Sequence, residues 1–515
     1  MTDDKKSPFR SLEEFIVKTL VIAPWYIMAF IFRLIYGFRM ENRERIPSDG
    51  PFILILKEPS LAGMFTSGYI SITVINPLLF KKNPTPVISF MQDMLFHFSY
   101  FTSTQRMSEK YGWPQYMRAL VPHGGSGRIA MGLLDALHLL REGGVVVMNP
   151  EGDASWDGRA MPIGNSTAWM GLHSAAPIVP AVATIGAYEV WPVWTLRPFL
   201  RGRISIKVGE PFKLTETPLE TVTDEELDAA SERIRVIFEE LAYGEGGVDA
   251  WVGPVTRNGK PVDEPVQLRP AHDPVPADQW EYNPDSVAVV RRGVALLLWR
   301  CPVCNTEDAL IHRRPLFHTQ TASCQSCDTV WDMRSLVGND FRMQVVKGAP
   351  ELIGLDMPLS TWFEKMKIGF QPTPIPTTGV DLIPGEEVYL EVADVPLEPH
   401  KPSVLFESWN EREAPKSQPP ALQIAGDWDS IGEGRLLLTS HRLLWKNPQR
   451  ELDFYWSSIS SVHNFAVNTL GIGYVNARYR FPLQGELGLK WLTYAGTLAQ
   501  RAAEQDGHKV IVAPY

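Results

Sequence analysis

The four cysteines of this 515-residue chain, Cys301, Cys304, Cys324 and Cys327, all lie in one window with the spacing C-x2-C-x19-C-x2-C. Two such knuckles at that separation predict a small ribbon, placed at residues 293–340, in which four thiolates close a tetrahedral Zn2+ site. A closed four-thiolate set keeps no open coordination position, so the expected zinc is structural and not catalytic. The alternative, two disulfides, needs an oxidising compartment and would gather every cysteine of a long chain into one patch. The apolar run from Val294 to Trp299 supplies strand and cover for a core that small.

Apolar residues make up 44% of the sequence, enough for a sizeable core, and the length predicts two to four domains. A net charge of −10 gives no general attraction to nucleic acid or anionic lipid, so any membrane contact has to be local. His312, Arg313 and Arg314 on the ribbon loop are basic, but no base-stacking platform accompanies them and nucleic acid is not expected as a partner.

A local membrane contact is offered at residues 1–45. Thr19 to Phe32 carries no charge and is bounded by Lys18 and Arg33, with Pro24, Trp25 and Tyr26 inside it. That run is shorter than the roughly 20 residues a bilayer core requires. It predicts a helix dipping into one leaflet, with Lys5, Lys6, Arg10 and Lys18 near anionic headgroups; a buried core helix is the alternative. The acidic start and the lack of a cleavage site argue against a secretory signal. The expected location is the cytoplasmic face of a membrane, peripheral or monotopic.

Residues 46–244 alternate apolar runs with helical patterns, which predicts an α/β fold: a mostly parallel sheet flanked by helices. Arg128 to Glu142 has helical spacing and stops at Gly143-Gly144. Val145 to Met148 reads as a fully buried strand, with Pro150-Glu151-Gly152 on the loop at its carboxyl end, where open α/β sheets form ligand crevices. Ile204 to Pro211 alternates like an edge strand. A capping box, Thr223 with Glu226, opens a last helix that Gly244 ends.

Pro150-Glu151-Gly152 and Pro177-Ile178-Val179-Pro180 resemble the third and fourth conserved blocks of the glycerophospholipid acyltransferase superfamily, the group containing 1-acylglycerol-3-phosphate acyltransferase. The resemblance implies a first block Asn-His-x4-Asp after an apolar strand, and Gly50 to Phe65 supplies the strand and turn. The histidine slot there holds Glu58 and the aspartate slot Gly63, with Ser60 between them. In the family that histidine takes a proton from the hydroxyl that attacks an acyl thioester. A carboxylate with an ordinary pKa of about 4.3 is a poorer base than imidazole. The phosphate-binding arginine of the second block maps near His123, with Arg128 five residues on, and the arginine of the third block maps to Ala154, with Arg159 nearby. The resemblance therefore marks Glu58, Ser60, His123 and Glu151 as catalytic candidates and Arg128, Gly152 and Arg159 as substrate-binding candidates. His97, His123 and His173 are replacement bases in principle, although each reads more simply as a hydrogen-bonded structural histidine. Glu151 likewise reads as a carboxylate satisfying backbone donors in its loop.

Residues 245–292 and 341–384, rich in proline and glycine, are expected to be linkers. Residues 385–505 have an all-β texture followed by a helix. Gly434 to Leu443 is similar to a strand pair of pleckstrin-homology (PH) or GRAM-type domains, and a small barrel with its mouth plugged by the helix is expected. Three functions fit these modules. The first is a membrane-associated protein binding a lipid or acyl chain with a degenerate acyltransferase site. The second is an O-acyltransferase that works with a non-standard base, taking acyl groups from acyl-CoA or acyl-carrier protein. The third is an adaptor whose protein partners bind the ribbon or the PH-like module.

Overall fold

The computed structural model describes residues 26–27, 30–31, 33–57, 66, 69–79, 85–90, 117–120, 126–151, 163–185, 203–245, 253–262, 264–281, 293–313, 319–335, 341–400, 428–466, 468–475, 477–483 and 488–513. The first sheet has seven strands: β1 (Arg39–Glu41), β2 (Phe52–Lys57), β3 (Val87–Phe90), β4 (Met117–Leu120), β5 (Val145–Met148), β6 (Ile178–Ile185) and β7 (Ser205–Val208). Their order is β1-β7-β6-β2-β5-β3-β4, with only the β6–β7 pair antiparallel. The mostly parallel sheet is as expected. β7, however, is not an edge, because β1 pairs along its outer side.

The strands at the centre are apolar because both faces are covered. Every residue of β2 and β5 is buried, with β2 in register between β5 and β6. One face carries Phe52, Leu54, Val145, Val147 and Val179 into a cluster with Tyr36 and Phe38. The other packs Ile53, Ile55, Val146 and Met148 under helices α1 (Ser126–Arg141), α2 (Asn165–Ser174) and α3 (Asp224–Tyr243). Helix α1 ends at Gly143, which takes a left-handed φ of 85° that favours glycine. The turn lies so close to the entry of β2 that a Cβ on Gly50 would meet the Gly143 carbonyl oxygen at 2.2 Å. Helix α3 opens with the expected capping box: Thr223 accepts from the Glu226 N–H at 3.2 Å, and Glu226 accepts from the Thr223 N–H at 2.8 Å.

The two stretches expected as linkers contribute to a second, antiparallel sheet. Its strands are β8 (Thr256–Arg257), β9 (Lys260–Pro261), β10 (Leu310–Arg313), β11 (Gln320–Cys324), β12 (Val330–Ser335), β13 (Phe341–Lys347) and β14 (Leu355–Pro358), in the order β10-β11-β12-β13-β14-β8-β9. The ribbon strands β10–β12 thus continue into 341–384 and then into 245–292. Sequence periodicity misses β8, β9 and β14 because runs of two to four residues carry no period, while the seven-residue β13 is obscured by the proline-rich stretch that follows it. Helix α4 (Leu359–Lys367) seals the sheet with Trp362, whose Nε1 donates to the Met343 carbonyl at 3.0 Å and whose ring meets Trp331 edge-on at 5.7 Å.

The C-terminal strands are β15 (Val388–Pro396), β16 (Glu398–Pro399), β17 (Glu433–Thr439), β18 (Arg442–Lys446), β19 (Glu451–Tyr455), β20 (Ile459–Ala466), β21 (Thr469–Tyr474), β22 (Ala477–Pro482) and β23 (Ile511–Ala513). They form two sheets, β15-β17-β18-β19 and β16-β22-β21-β20-β23, where a closed barrel was expected. The reason lies between β15 and β16: the chain leaves β17 after Pro396 and pairs with β22 at Glu398, turning a corner between the sheets. Helix α5 (Gly488–Asp506) packs its apolar face on β20 and β21. A buried bidentate pair, Arg442 with Glu386 at 3.0 Å for each arm, fastens the β17–β18 turn to the residues before β15, and Thr439 donates to the same carboxylate at 2.6 Å. One buried cluster, from Val294 to Ala499, joins the ribbon sheet to both C-terminal sheets and α5.

Candidate functional site

At the carboxyl edge of the first sheet Glu151 meets Lys57, whereas Pro177–Pro180 enters β6 beside Ile53–Ile55 at the opposite end. Strands β5, β2 and β6 are neighbours, so Glu151 after β5, Lys57 at the end of β2 and the Pro177–Pro180 segment entering β6 belong to three adjacent central strands. Lys57 Nζ donates to Glu151 Oε1 at 2.9 Å, with side chains 1% and 0% exposed. The Glu151 N–H donates to Asn149 Oδ1 at 3.1 Å, which tightens the turn behind β5.

The Glu151 carboxylate takes a buried ammonium; the loop expected to offer it backbone donors, residues 152–162, lies outside the described residues. Lys57 itself was missed. Its signal is the composition of β2, Phe-Ile-Leu-Ile-Leu-Lys: a charge closing a strand buried throughout has to find a counter-charge. It stands immediately ahead of Glu58 in the sequence.

Glu58, Ser60, Gly63, His97, His123, Gly152, Ala154, Arg159 and Arg314 lie outside the described residues, and the side chain of Arg128, on the first turn of α1, does too. His173 is held on α2, with Nδ1 2.6 Å from the Leu219 carbonyl and its ring 4.5 Å from Trp169. These contacts are those of a structural histidine. On the ribbon, His312 Nδ1 accepts from the Val294 N–H at 3.2 Å, whereas Arg313 is exposed.

The four cysteines come together as the spacing predicts. Their Sγ atoms all lie within 4.8 Å of one another, with Cys301–Cys327 at 3.8 Å and Cys304–Cys324 at 3.7 Å. A disulfide would bring sulfurs to about 2.05 Å. The edge of a tetrahedron with metal–sulfur bonds of about 2.3 Å is about 3.8 Å, so the spacing suits four thiolates around one ion. Each knuckle also turns a backbone N–H onto its first sulfur: Val303 onto Cys301 and Ser326 onto Cys324, both at 3.4 Å. Burial pushes the Cys301 thiol well above its ordinary range, while hydrogen bonds from Cys301, Cys324 and Cys327 hold Cys304 far below it. These four cysteines can hold a metal ion.

No protein-family model matches the chain, and no curated protein sequence matches it. Among solved structures, the crystal structure of the 1-acyl-sn-glycerophosphate (LPA) acyltransferase PlsC from Thermotoga maritima is similar at 19% identity. It covers 44% of this chain and 85% of its own, with a TM-score of 0.28.

Proposed function

We propose that this protein is an acyltransferase-like lipid-binding protein that sits on a membrane surface and carries a degenerate active site. The observation behind the reading is the buried Lys57–Glu151 pair at the carboxyl edge of β2 and β5. An α/β sheet presents its ligand crevice at that edge, and there the Pro-Glu-Gly glutamate is committed to an ion pair. With Glu58 and Gly63 in the histidine and aspartate slots, the standard base and its orienting group are both absent from the sequence. A crevice of this kind retains a lipid or acyl chain without turning it over.

Membrane attachment is assigned to the N-terminal helix. Tyr26, Ile27, Phe30, Ile31, Leu34 and Ile35 recur at intervals of four and are all exposed, Leu34 by 69%. Large apolar side chains on an exposed helix suit the headgroup–acyl boundary. Among the described residues no helix is long and apolar enough to cross a membrane. The metal of the four-cysteine cluster is assigned as zinc with a structural role, since the thiolate set leaves no position for substrate. The C-terminal sheets are read as PH-like, on the strength of the Gly434–Leu443 hairpin.

Mass spectrometry of lipid extracted after gentle purification tests the proposal. Recovery of a stoichiometric phospholipid or fatty acid is the expected result, and lipid-free protein from several preparations would sink the lipid-binding reading.

A further inference from the structure

Between the first cysteine knuckle, the segment after α4, the start of β15 and helix α5 lies a cavity of about 550 Å³. This is the size of a small-molecule site. Its walls include Arg300, Phe370, Tyr389, Lys490, Trp491 and Tyr494. We propose that this cavity binds a singly charged amphipathic anion, a carboxylate or phosphodiester with an apolar body, whose oxygens are taken by Arg300.

The charges around the cavity decide the ligand class. The carboxylates on its walls are already engaged. Glu307 accepts from Lys490 Nζ and from the Tyr494 hydroxyl, each at 2.8 Å. Asp308 accepts from Lys490 at 3.2 Å, and Glu391 takes Arg435 at 2.6 Å. Arg300 differs. Its Nε donates to the Asn305 carbonyl at 3.0 Å and Nη1 to the Met366 carbonyl at 3.2 Å, and among the described residues it makes no ion pair. Carbonyl acceptors hold a guanidinium in place without neutralising it. Arg300 is therefore a rigid cation with N–H donors left over, the arrangement that takes a carboxylate or phosphate oxygen pair.

The apolar half of the ligand is matched by rings. Phe370 lies 4.7 Å from Tyr494 and 5.3 Å from Trp299, and the Arg300 guanidinium sits 5.9 Å over Phe370. Glu307 and Asp308 are balanced in charge by Lys490 and Arg300, so one anionic group can meet Arg300, whereas a polyanion would find no further unpaired cation among the described residues of the wall and would face the two carboxylates. The site is independent of the first sheet, so its failure would leave the crevice reading untouched.

The test uses full-length, zinc-loaded protein and three probes: octanoate in calorimetry, inositol hexakisphosphate in calorimetry, and flotation on phosphatidylcholine vesicles with or without phosphatidylglycerol. Arg300→Gln removes charge-assisted hydrogen bonds and should weaken octanoate binding about 10- to 100-fold. Thr373→Trp, on the exposed wall and remote in sequence from the knuckle, should block the cavity, and unchanged zinc content shows that the ribbon is intact in both variants. Octanoate binding lost in both variants supports the proposal with a soluble carboxylate as the source. Arg300-dependent binding confined to phosphatidylglycerol vesicles supports it with a lipid headgroup as the source. Failure of octanoate and phosphatidylglycerol alike, binding unchanged by both substitutions, or inositol hexakisphosphate binding as tightly as octanoate would each overturn it.

Discussion

Lys57 and Glu151, 94 residues apart in sequence, form an ion pair at 2.9 Å with both side chains withdrawn from water. Each alone would be intolerable there, because an unpaired buried charge is far costlier than the pair. Lys57→Met should therefore cost about 3–5 kcal/mol, whereas Lys57→Met combined with Glu151→Leu should cost much less. Urea unfolding followed through the first sheet decides this. A double variant as damaged as the single one would mean that Lys57 owes its position to something other than the carboxylate.

Metal removal should act well beyond the ribbon. Glu307 and Asp308 follow the first knuckle directly and hold Lys490 of α5, while Trp299 Nε1 donates to Thr493 Oγ1 at 3.4 Å. The ribbon and both C-terminal sheets share one buried cluster. Purified protein should carry about one zinc per chain. Cys301→Ser should expose amides across 293–513 to hydrogen exchange and spare β2 and β5, since a structural site contributes folding free energy directly. Exchange confined to residues 293–340 would show that the ribbon folds on its own.

What could be read from the residues divides along physical lines. The strand at Val145–Met148, the helix from Thr223 to Gly244 and the four-cysteine cluster were legible because burial, capping and metal ligation each leave a local pattern. The seven-stranded ribbon sheet was not, because two-residue strands have no period and their pairing is decided by partners such as Leu355 and Asp356 about 100 residues away. The two-sheet arrangement was hidden for a related reason: the corner at Leu397 is a matter of pairing, not of composition. At the carboxyl end of the first sheet the buried strand was legible, but Lys57 was not, because a terminal lysine on an apolar strand looks like a surface residue.

Acid should weaken the C-terminal sheets before carboxylates titrate. Burial, with the Arg478 charge adding to it, brings His463 on β20 down to about 4. An unfolded histidine protonates near 6.5, so between those values the unfolded state binds the extra proton and stability rises with pH. The contribution is complete above about 6.5 and is lost as pH falls toward 4, up to about 3 kcal/mol before allowance for the partial exposure of the ring. His463→Gln should flatten the urea midpoint of the C-terminal transition between pH 6.5 and 4.5. A slope that survives the substitution assigns the acid sensitivity elsewhere. Glu386, desolvated yet held below the usual range by Arg442, adds its own loss only at lower pH.

Membrane attachment should depend on the N-terminal helix. Tyr36 and Phe38 belong to the core and Arg39–Glu41 pair with β7, so a deletion that tests the helix without damaging the sheet has to stop at about residue 33. That truncation should move the protein to the soluble fraction. Ile27→Asp should weaken binding by about 2–3 kcal/mol if the side chain enters the apolar layer. Membrane retention unaffected by either change would assign attachment to another surface.

Ordinary histidine-dependent acyl transfer to a lysophospholipid or glycerol 3-phosphate should be absent. On the proposed reading, Glu58 and Gly63 stand in the slots of the base and its orienting group, and His123 and Ala154 in those of the phosphate-binding arginines. Loss of a positioned base alone costs about 10²–10⁴-fold, or about 3–5 kcal/mol of barrier, and loss of the phosphate clamp weakens positioning as well. Glu151 is already engaged by Lys57 and is a poor replacement base. Rates with acyl-CoA or acyl-carrier protein as donor should therefore lie near background. Robust turnover abolished by Glu58→Gln would reverse this conclusion and make that carboxylate the general base. The converse experiment installs Glu58→His with Gly63→Asp. It should not restore high activity, because both arginine slots would still be filled by other residues. Full activity in that double variant would show that the phosphate is held by residues other than those slots, Arg128 and Arg159 being the first to substitute.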